Sequence, residues 1–398
     1  MAAESASATP LWLDVDPGHD DAFALLLAAH NPHVHLLGVS TVHGNASLHH
    51  TTQNGLSILE AIGCRDVPLY PGASKPLVRD AVHAASIHGE SGLDGTTIMP
   101  KPVRAAVRDV DSVEAMYKAL ITTPPKTAWL IATGTLTNAA RVIKEHPDLA
   151  GHLKGFSIMG GAIGGGFTDA PLGRVAGEGE RVGNWTPYAE FNIYCDPEAA
   201  QFLLTHPVIA PKTTIMPLDV THQVLGTPEV QSKLLGLPGG IPARDSPEKP
   251  LPTPIRALFH EIMTFFAKTY AEEKRVNLPL TVKRFDLTAG PPLHDPLAVA
   301  AAFVPDIFVD NGGERFSVHV VTDGEHRADP AMNLADAEAV GQLGRTLVTK
   351  VGEGEEGVRI PRTLDVPRFW DLIDQALGKA EEVSPLPALG DDWWKTRE

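Results

Sequence analysis

The sequence predicts an α/β fold in which helices flank a mostly parallel central sheet. Short apolar segments are followed by a loop and then by a longer helical pattern. This order recurs along the chain and is typical of parallel strands joined by right-handed crossovers. The 398 residues are 43 % hydrophobic and 21 % charged, so the chain can bury a large core. The 36 glycines and 34 prolines indicate many ordered loops.

Three strand-loop-helix units are predicted in the first half of the chain. In the first, an apolar strand over 11–15 ends in Asp16-Pro17-Gly18, and a buried helix follows over 20–30. The other two units pair strand with helix over 36–42 and 47–62, and over 128–132 and 136–146. Further strands are predicted over 156–159, 191–194, 213–218 and 316–321.

Helix starts and one long loop can also be assigned. Asp111, with Glu114 three residues on, predicts a capping box, and Asp196-Pro197 places a cap before a favoured first-turn proline. A long helix is predicted over 254–274. Residues 235–254 carry six prolines and three glycines and are predicted to form a surface loop or flap.

No internal repeat or sharp change in composition divides the chain. We therefore predict a single large Rossmann-like domain over residues 11–380, with a disordered N-terminal tail over 1–10 and a C-terminal tail over 381–398. In such sheets, ligands bind outside the carboxyl ends of the strands, so the loop residues that follow each strand are the candidates for a site.

The formal net charge of −16 argues against nucleic acid or an anionic membrane surface as a partner. Only two cysteines are present, which excludes a disulfide framework and indicates a reducing compartment. The first residues lack the pattern of a secretion signal, and the longest apolar run, 22–29, is too short to cross a bilayer. We expect a soluble, cytoplasmic protein.

Four carboxylates, Asp14, Asp16, Asp20 and Asp21, fall within eight residues after the first strand. They would repel one another unless a cation or hydrogen-bond donors gathered them, which favours a Ca²⁺ or Mg²⁺ site over plain helix caps. The spacing is not that of an EF-hand, so further ligands must come from elsewhere in the chain. Asp295, between His294 and Pro296, is a plausible distant ligand or a simple helix cap.

Two further segments are candidate binding sites. Asn184, Glu190 and Asn192 supply a carboxylate and two amides that could bind vicinal hydroxyls. The glycine-rich segment 160–166 lacks the spacing of a dinucleotide-binding loop, and no clear helix follows it, so a flexible loop is predicted there.

Seven segments, taken in chain order, together resemble the inosine-uridine preferring nucleoside hydrolases. They are residues 14–22, 42–45, 88–95, 133–138, 189–192, 217–222 and 294–296. The resemblance runs from about residue 11 to 375. Within the family, the chain is most similar to the fungal and plant uridine nucleosidases, particularly over residues 188–196. It implies Ca²⁺-dependent hydrolysis of the N-glycosidic bond of ribonucleosides to ribose and free base, in a homodimer or homotetramer.

The resemblance also implies roles for single residues. Asp16, Asp21, Asp295 and the carbonyl of Thr133 match calcium ligands, and Asp16 also matches the general base that acts on a metal-bound water. Asn45 matches a residue beside that water. The residues that match the ribose site are Asp20, Asn184, Glu190 and Asn192, and those near the leaving base are His88 and His294.

The chemistry of the leaving base is less determined by the sequence. Charge on the sugar would build up as an oxocarbenium-like state that surrounding carboxylates stabilise. His294, with an ordinary pKa near ~6.5, could protonate the base. Tyr270, on the predicted long helix, is a weaker candidate for stacking or hydrogen bonding. Segments 162–182 and 235–254 look long and are expected to border the pocket, which leaves the preferred base open.

Two alternatives remain at this point. Asp14-Val15-Asp16 after a strand is similar to the motif of haloacid-dehalogenase-like phosphatases, with Asp14 as nucleophile and Mg²⁺ bound. A calcium-dependent sugar-binding module without turnover would keep the same pocket.

Overall fold

The computed structural model describes residues 8–170, 172–175, 179–237, 239–242, 249–276, 290–327, 338–390 and 392–394. The strands are β1 (Thr9–Val15), β2 (Val34–Thr41), β3 (Leu69–Pro71), β4 (Trp129–Ala132), β5 (Gly155–Met159), β6 (Gly173–Val175), β7 (Gly179–Arg181), β8 (Thr213–Met216), β9 (Phe308–Val309), β10 (Phe316–Val320), β11 (Thr346–Lys350) and β12 (Thr363–Leu364). Six of them form the central sheet in the order β3-β2-β1-β4-β5-β8, and every pair is parallel.

Helices cover both faces of this sheet. They are α1 (His19–His30), α2 (Leu48–Ala61), α3 (Ala85–His88), α4 (Ser112–Ile121), α5 (Thr137–Glu145), α6 (Asp148–His152), α7 (Phe191–Cys195), α8 (Pro197–Thr205), α9 (Leu218–Thr221), α10 (Pro228–Leu234), α11 (Pro254–Val276), α12 (Pro296–Phe303) and a C-terminal helix (Val366–Val383). The strand order and the parallel pairing confirm the predicted Rossmann-like α/β class.

The core explains where the site lies. The inner residues of β1 are fully buried, and α12, whose sequence is apolar on all sides, packs against α1 and β5 with seven buried residues from Pro296 to Ala302. Strand order reverses between β1 and β4, and the loops after these strands meet at one edge of the sheet. This switch point is where open α/β sheets bind their ligands.

Local signals predicted several elements correctly. Asp196 caps α8 through a 3.0 Å bond from the Ala199 N–H, with Pro197 in the first turn. Asp111 caps α4 by accepting from the Val113 N–H at 2.9 Å. The long helix predicted over 254–274 is α11, and the glycine-rich segment 160–166 is a loop. No helix among the described residues is long and apolar enough to span a membrane.

One predicted strand is wrong. Residues 191–194 belong to helix α7, because the Glu190 carboxylate caps its first turn by accepting from the N–H groups of Asn192 and Ile193. A short apolar run does not distinguish a buried strand from a buried helical turn. The strand predicted over 316–321 exists as β10, but it pairs antiparallel with β11 outside the central sheet.

The chain ends depart from the predicted tails at their edges. Strand β1 begins at Thr9, inside the predicted N-terminal tail 1–10. The C-terminal helix ends at Val383, and Trp393, in the predicted tail 381–398, is buried. Local sequence patterns do not reveal that this tryptophan packs against residues distant in the chain.

Candidate active site

Three carboxylates from two distant helices meet at the carboxyl edge of the sheet. Asp20 and Asp21 lie in the first turn of α1, and Asp295 precedes Pro296 at the start of α12. One carboxylate oxygen from each lies within 4.8 Å of the others, and the residues are only 7 %, 0 % and 2 % exposed. The structure therefore brings together carboxylates that stand 274 positions apart in the sequence.

Burial disfavours the ionised form of all three carboxylates. Burial raises the pKa of Asp20 to about 7, with Asp21 adding repulsion, and burial raises the pKa of Asp21 and of Asp295 above their usual range. No ion pair among the described residues involves any of the three. A site that gathers buried acids without a lysine or arginine partner is favourable for a cation.

Asp21 is held by the backbone and by β4. Its Oδ2 accepts from the Gly18 N–H at 2.9 Å, and its Oδ1 accepts from the Thr133 hydroxyl at 2.8 Å. Thr133 directly follows β4, so the hydrogen bond fixes the first turn of α1 to the neighbouring strand. The carbonyl of Thr133 accepts from the Asn192 side-chain amide at 2.6 Å and keeps a second lone pair.

Asp16 lies directly behind the cavity wall. Its Oδ2 accepts from the Asn45 N–H at 2.8 Å, whereas its buried Oδ1 has no hydrogen-bond partner among the described residues. Burial and the neighbouring Asp21 raise its pKa. Two glycines allow this close approach, because a Cβ at Gly44 or Gly134 would lie 2.0 or 2.5 Å from the carboxylate oxygens.

A pocket lies above the carboxylates, and its empty space is about 480 Å³ when the part open to solvent is included. Predicted site residues that line it are Asp20, Asn45, His88, Thr133, Asn184, Glu190, Asn192, His294 and Asp295. Residues that the sequence analysis missed include Met159, Trp185 and Phe266. These apolar residues belong to no recognisable sequence motif. For Phe266, on α11, helical periodicity does not distinguish a side chain that faces a pocket from one that faces the core.

One wall is built by α7 and the loop before it. Glu190 accepts from the Asn192 N–H through Oε1 and from the N–H groups of Gly161 and Ile193 through Oε2, at 2.8, 2.9 and 3.1 Å. Asn184 accepts from the Phe191 N–H at 2.9 Å. These bonds fix side chains whose remaining donors and acceptors line the cavity.

His294 also lines the cavity. Its Nδ1 lies 2.7 Å from the Thr221 hydroxyl, and its buried Nε2 has no hydrogen-bond partner among the described residues. The Phe266 ring stands perpendicular to it at 6.2 Å and stacks on His88 at 5.7 Å. Burial, with His222 nearby, lowers the pKa of His294 well below its usual value. Burial therefore favours the neutral form of this imidazole.

Other expectations for the pocket are corrected or untested. The described residues of 162–182 and 235–254 do not line the cavity: Asp219 accepts from the N–H groups of Ile163 and Gly164, and Leu237 packs on Trp393 instead. Tyr270 lies in α11, but its side chain is outside the described residues.

Buried carboxylates, amides and imidazoles around a pocket at the switch point define an α/β enzyme for a small molecule. Comparison with known proteins specifies the class. The chain matches the family "Inosine-uridine preferring nucleoside hydrolase" over residues 11–371, and it belongs to this family. It is a ribonucleoside hydrolase, an enzyme that cleaves N-glycosyl bonds.

Several characterised relatives are similar over most of their length. Uridine nucleosidase of Saccharomyces cerevisiae is 31 % identical over 392 residues, covering 96 % of this chain and 99 % of the yeast protein. A pyrimidine-specific ribonucleoside hydrolase of Citrobacter koseri is 34 % identical over 302 residues, covering 76 % and 81 %. The structure of a purine-preferring ribonucleoside hydrolase from Gardnerella vaginalis aligns with a TM-score of 0.70 at 25 % identity, covering 94 % and 99 %.

Family membership leaves the two alternatives without support. In the phosphatase hypothesis Asp14 would attack the substrate, yet its Oδ1 accepts from Ser40 at 2.5 Å and from Asn138 at 2.9 Å in the core. Asp14 is 1 % exposed and is not part of the cavity wall. A sugar-binding module without turnover is not needed to explain a member of a hydrolase family.

Proposed function

We propose that this enzyme hydrolyses uridine and further ribonucleosides, inosine among them, to ribose and free base with Ca²⁺ as its cofactor. The observation that carries the proposal is the buried group of Asp20, Asp21 and Asp295, of which Asp20 and Asp295 line the cavity. Uridine and pyrimidine nucleosides appear in the names of the yeast and Citrobacter koseri relatives.

The donor set fits a hard cation. Ca²⁺ prefers six to eight oxygen ligands and tolerates irregular geometry. The proposed ligands are Asp16, Asp21, Asp295 and the carbonyl of Thr133, all of them oxygen donors in or directly behind the cavity wall. The unpartnered Oδ1 of Asp16 and the raised pKa values of the neighbouring acids support a bound cation, which would stabilise the ionised carboxylates. Bound there, Ca²⁺ would supply Lewis acidity toward the attacking water and the sugar hydroxyls.

In the proposed mechanism, Asp16 is the general base that removes a proton from the attacking water. The Asn45 N–H holds Oδ2 at 2.8 Å, which leaves Oδ1 for the proton. Asp20, Asn184, Glu190 and Asn192 hold the ribose. As the glycosidic bond lengthens, the sugar gains positive charge, and the acidic floor of the cavity stabilises that charge.

At the leaving base, His294 is the proposed donor, with His88 beside it. Thr221 fixes its Nδ1, so Nε2 is the nitrogen that meets the base. Since burial favours the neutral imidazole, we propose that its Nε2–H donates a hydrogen bond to the base and so stabilises the negative charge that develops there.

We further propose a homodimer or homotetramer in the cytoplasm. The two cysteines are both free, which agrees with a reducing compartment. Light scattering would give the assembly, and fractionation of cells that make the protein would give its location.

A nucleoside panel tests the proposed substrates. Uridine, cytidine, inosine, guanosine and 2′-deoxyuridine are assayed for release of reducing sugar, with calcium and with excess chelator. We expect turnover of uridine and inosine, a large loss on 2′-deoxyuridine, and no turnover in chelator. The proposal is refuted if no ribonucleoside releases ribose in the presence of calcium.

A further inference from the structure

The C-terminal segment contacts the active-site helix beyond the region that defines the family. The family match ends at residue 371, yet Trp393 is only 5 % exposed and packs with Leu235, Leu237 and Ala257. Its indole N–H donates to Glu261 Oε1 at 2.9 Å. Glu261 lies on α11 and is itself 5 % exposed. The segment is thus attached to the helix by a buried hydrogen bond.

The second oxygen of Glu261 holds a different part of the chain. Its Oε2 accepts from the Thr96 hydroxyl at 2.7 Å, and Thr96 Oγ1 accepts from the Ile98 N–H at 3.1 Å. Thr96 directly follows the segment 88–95 that carries His88. One carboxylate therefore joins three segments of the chain, and we call this contact the Thr96–Glu261–Trp393 bridge.

The bridge lies one helical turn from the cavity. Phe265, four residues after Glu261, packs so closely on Gly95 that a Cβ there would lie 2.2 Å from the ring. Phe266 lines the cavity and stacks on His88. The hydrogen bonds at Glu261 and the ring contacts at Phe265 thus hold α11 against the segment that bears His88.

We infer that Glu261 and Trp393 are positioning residues for the nucleobase end of the active site, an inference that rests on the function proposed above. Through the bridge they hold Phe266 against His88, the two cavity-lining rings that would contact the base. The carboxylates on the cavity floor belong to α1 and α12, and Thr133 follows β4. Loss of the bridge should therefore weaken base binding and leave the ribose and cation subsites intact.

Trp394 provides a matched control. Its ring stands edge-on to Trp393 at 4.7 Å and its N–H donates to the Pro250 carbonyl at 3.2 Å rather than to Glu261. Trp393→Phe and Trp394→Phe each remove one indole N–H from adjacent positions while keeping an aromatic ring. Only the first removes a bond of the bridge.

The test combines kinetics with hydrogen exchange on the full-length enzyme with calcium. For Trp393→Phe and Glu261→Gln we expect the KM for uridine to rise about two- to thirtyfold, the usual range for residues that act through a packed network. The inhibition constant of free ribose and the Kd of calcium should stay within about twofold. Amide exchange over residues 88–98 should accelerate in both variants, and Trp394→Phe should match the wild type in every assay.

Each contrary result overturns a defined part of the inference about Glu261 and Trp393. If neither the KM nor the amide exchange changes, the positioning role of Glu261 and Trp393 is refuted. If the KM and the ribose inhibition constant rise equally, the variants loosen the whole active site and not the base end alone, which also refutes it. If Trp394→Phe changes the KM and the amide exchange as much as Trp393→Phe does, these changes come from the C-terminal segment as a whole and not from the bridge. A wild-type enzyme without nucleosidase activity refutes the proposed function alone, since the exchange of residues 88–98 still reports on the bridge.

Discussion

Replacing Thr221 by valine isolates the role of His294. The Thr221 hydroxyl lies 2.7 Å from His294 Nδ1, and the threonine is fully buried. Valine has nearly the same shape, so packing is kept and only the hydroxyl is lost. Nδ1 then has no partner, and the imidazole is free to rotate or to place its single proton on either nitrogen.

The size of the effect follows from this one hydrogen bond. Leaving a buried nitrogen without its partner costs about 1–3 kcal/mol. If this cost falls on the transition state, in which Nε2 must donate, kcat for uridine should fall about 5- to 150-fold. Thr221→Ser keeps the hydroxyl and should retain most of the wild-type rate.

The assay compares two leaving groups. Uracil needs a hydrogen bond or a proton to leave, whereas 4-nitrophenolate, from 4-nitrophenyl riboside, leaves without one. We expect Thr221→Val to slow uridine hydrolysis and to leave the nitrophenyl substrate within about twofold of the wild type. An equal loss on both substrates, or no loss on uridine, would refute the assignment of His294 to the leaving base.

Three further outcomes follow from the same geometry. Asp16→Ala should lower kcat by about 10²–10⁴-fold or more and weaken calcium binding, as measured by turnover and calorimetry; near-native turnover would exclude Asp16 as the base. Gly134→Ala, whose Cβ would lie 2.5 Å from Asp16 Oδ1, should lower kcat more than about tenfold in a folded protein, and circular dichroism would establish the folding. Burial lowers the pKa of His43 to about 3. Between the ordinary histidine pKa of about 6.5 and this value, the unfolded chain binds a proton at His43 and the native protein does not. Stability should therefore fall as the pH drops below about 6.5, by about 2 kcal/mol at pH 5 for this residue. Denaturant unfolding at pH 7.5 and 5 should show a smaller fall for His43→Gln; equal falls would contradict the assignment.

The sequence predicted those features that depend on residues close together in the chain. The strand, turn and helix around Asp16-Pro17-Gly18 follow from apolar patterning and turn chemistry, and the structure has all three at these positions. The parallel sheet follows from the repetition of that unit. The carboxylates of Asp20 and Asp21 were notable in sequence because four acids within eight residues repel one another.

Features that depend on tertiary contacts were not visible. The short segment at 191–195 is helical because Glu190 caps it while also accepting from Gly161, 29 positions earlier. Phe266 differs from core residues of α11 only through its neighbours across the cavity. Trp393 falls in the predicted tail, since nothing near it in sequence shows that Glu261 lies within hydrogen-bond distance.

Titration of calcium into the chelator-stripped enzyme, with ribose release from uridine followed at each step, tests the central claim most directly. The account predicts no turnover in the stripped protein and activity that rises in proportion to calcium bound, up to one ion per chain. Full activity of the stripped enzyme, or saturation of the calcium site without release of ribose, would contradict it.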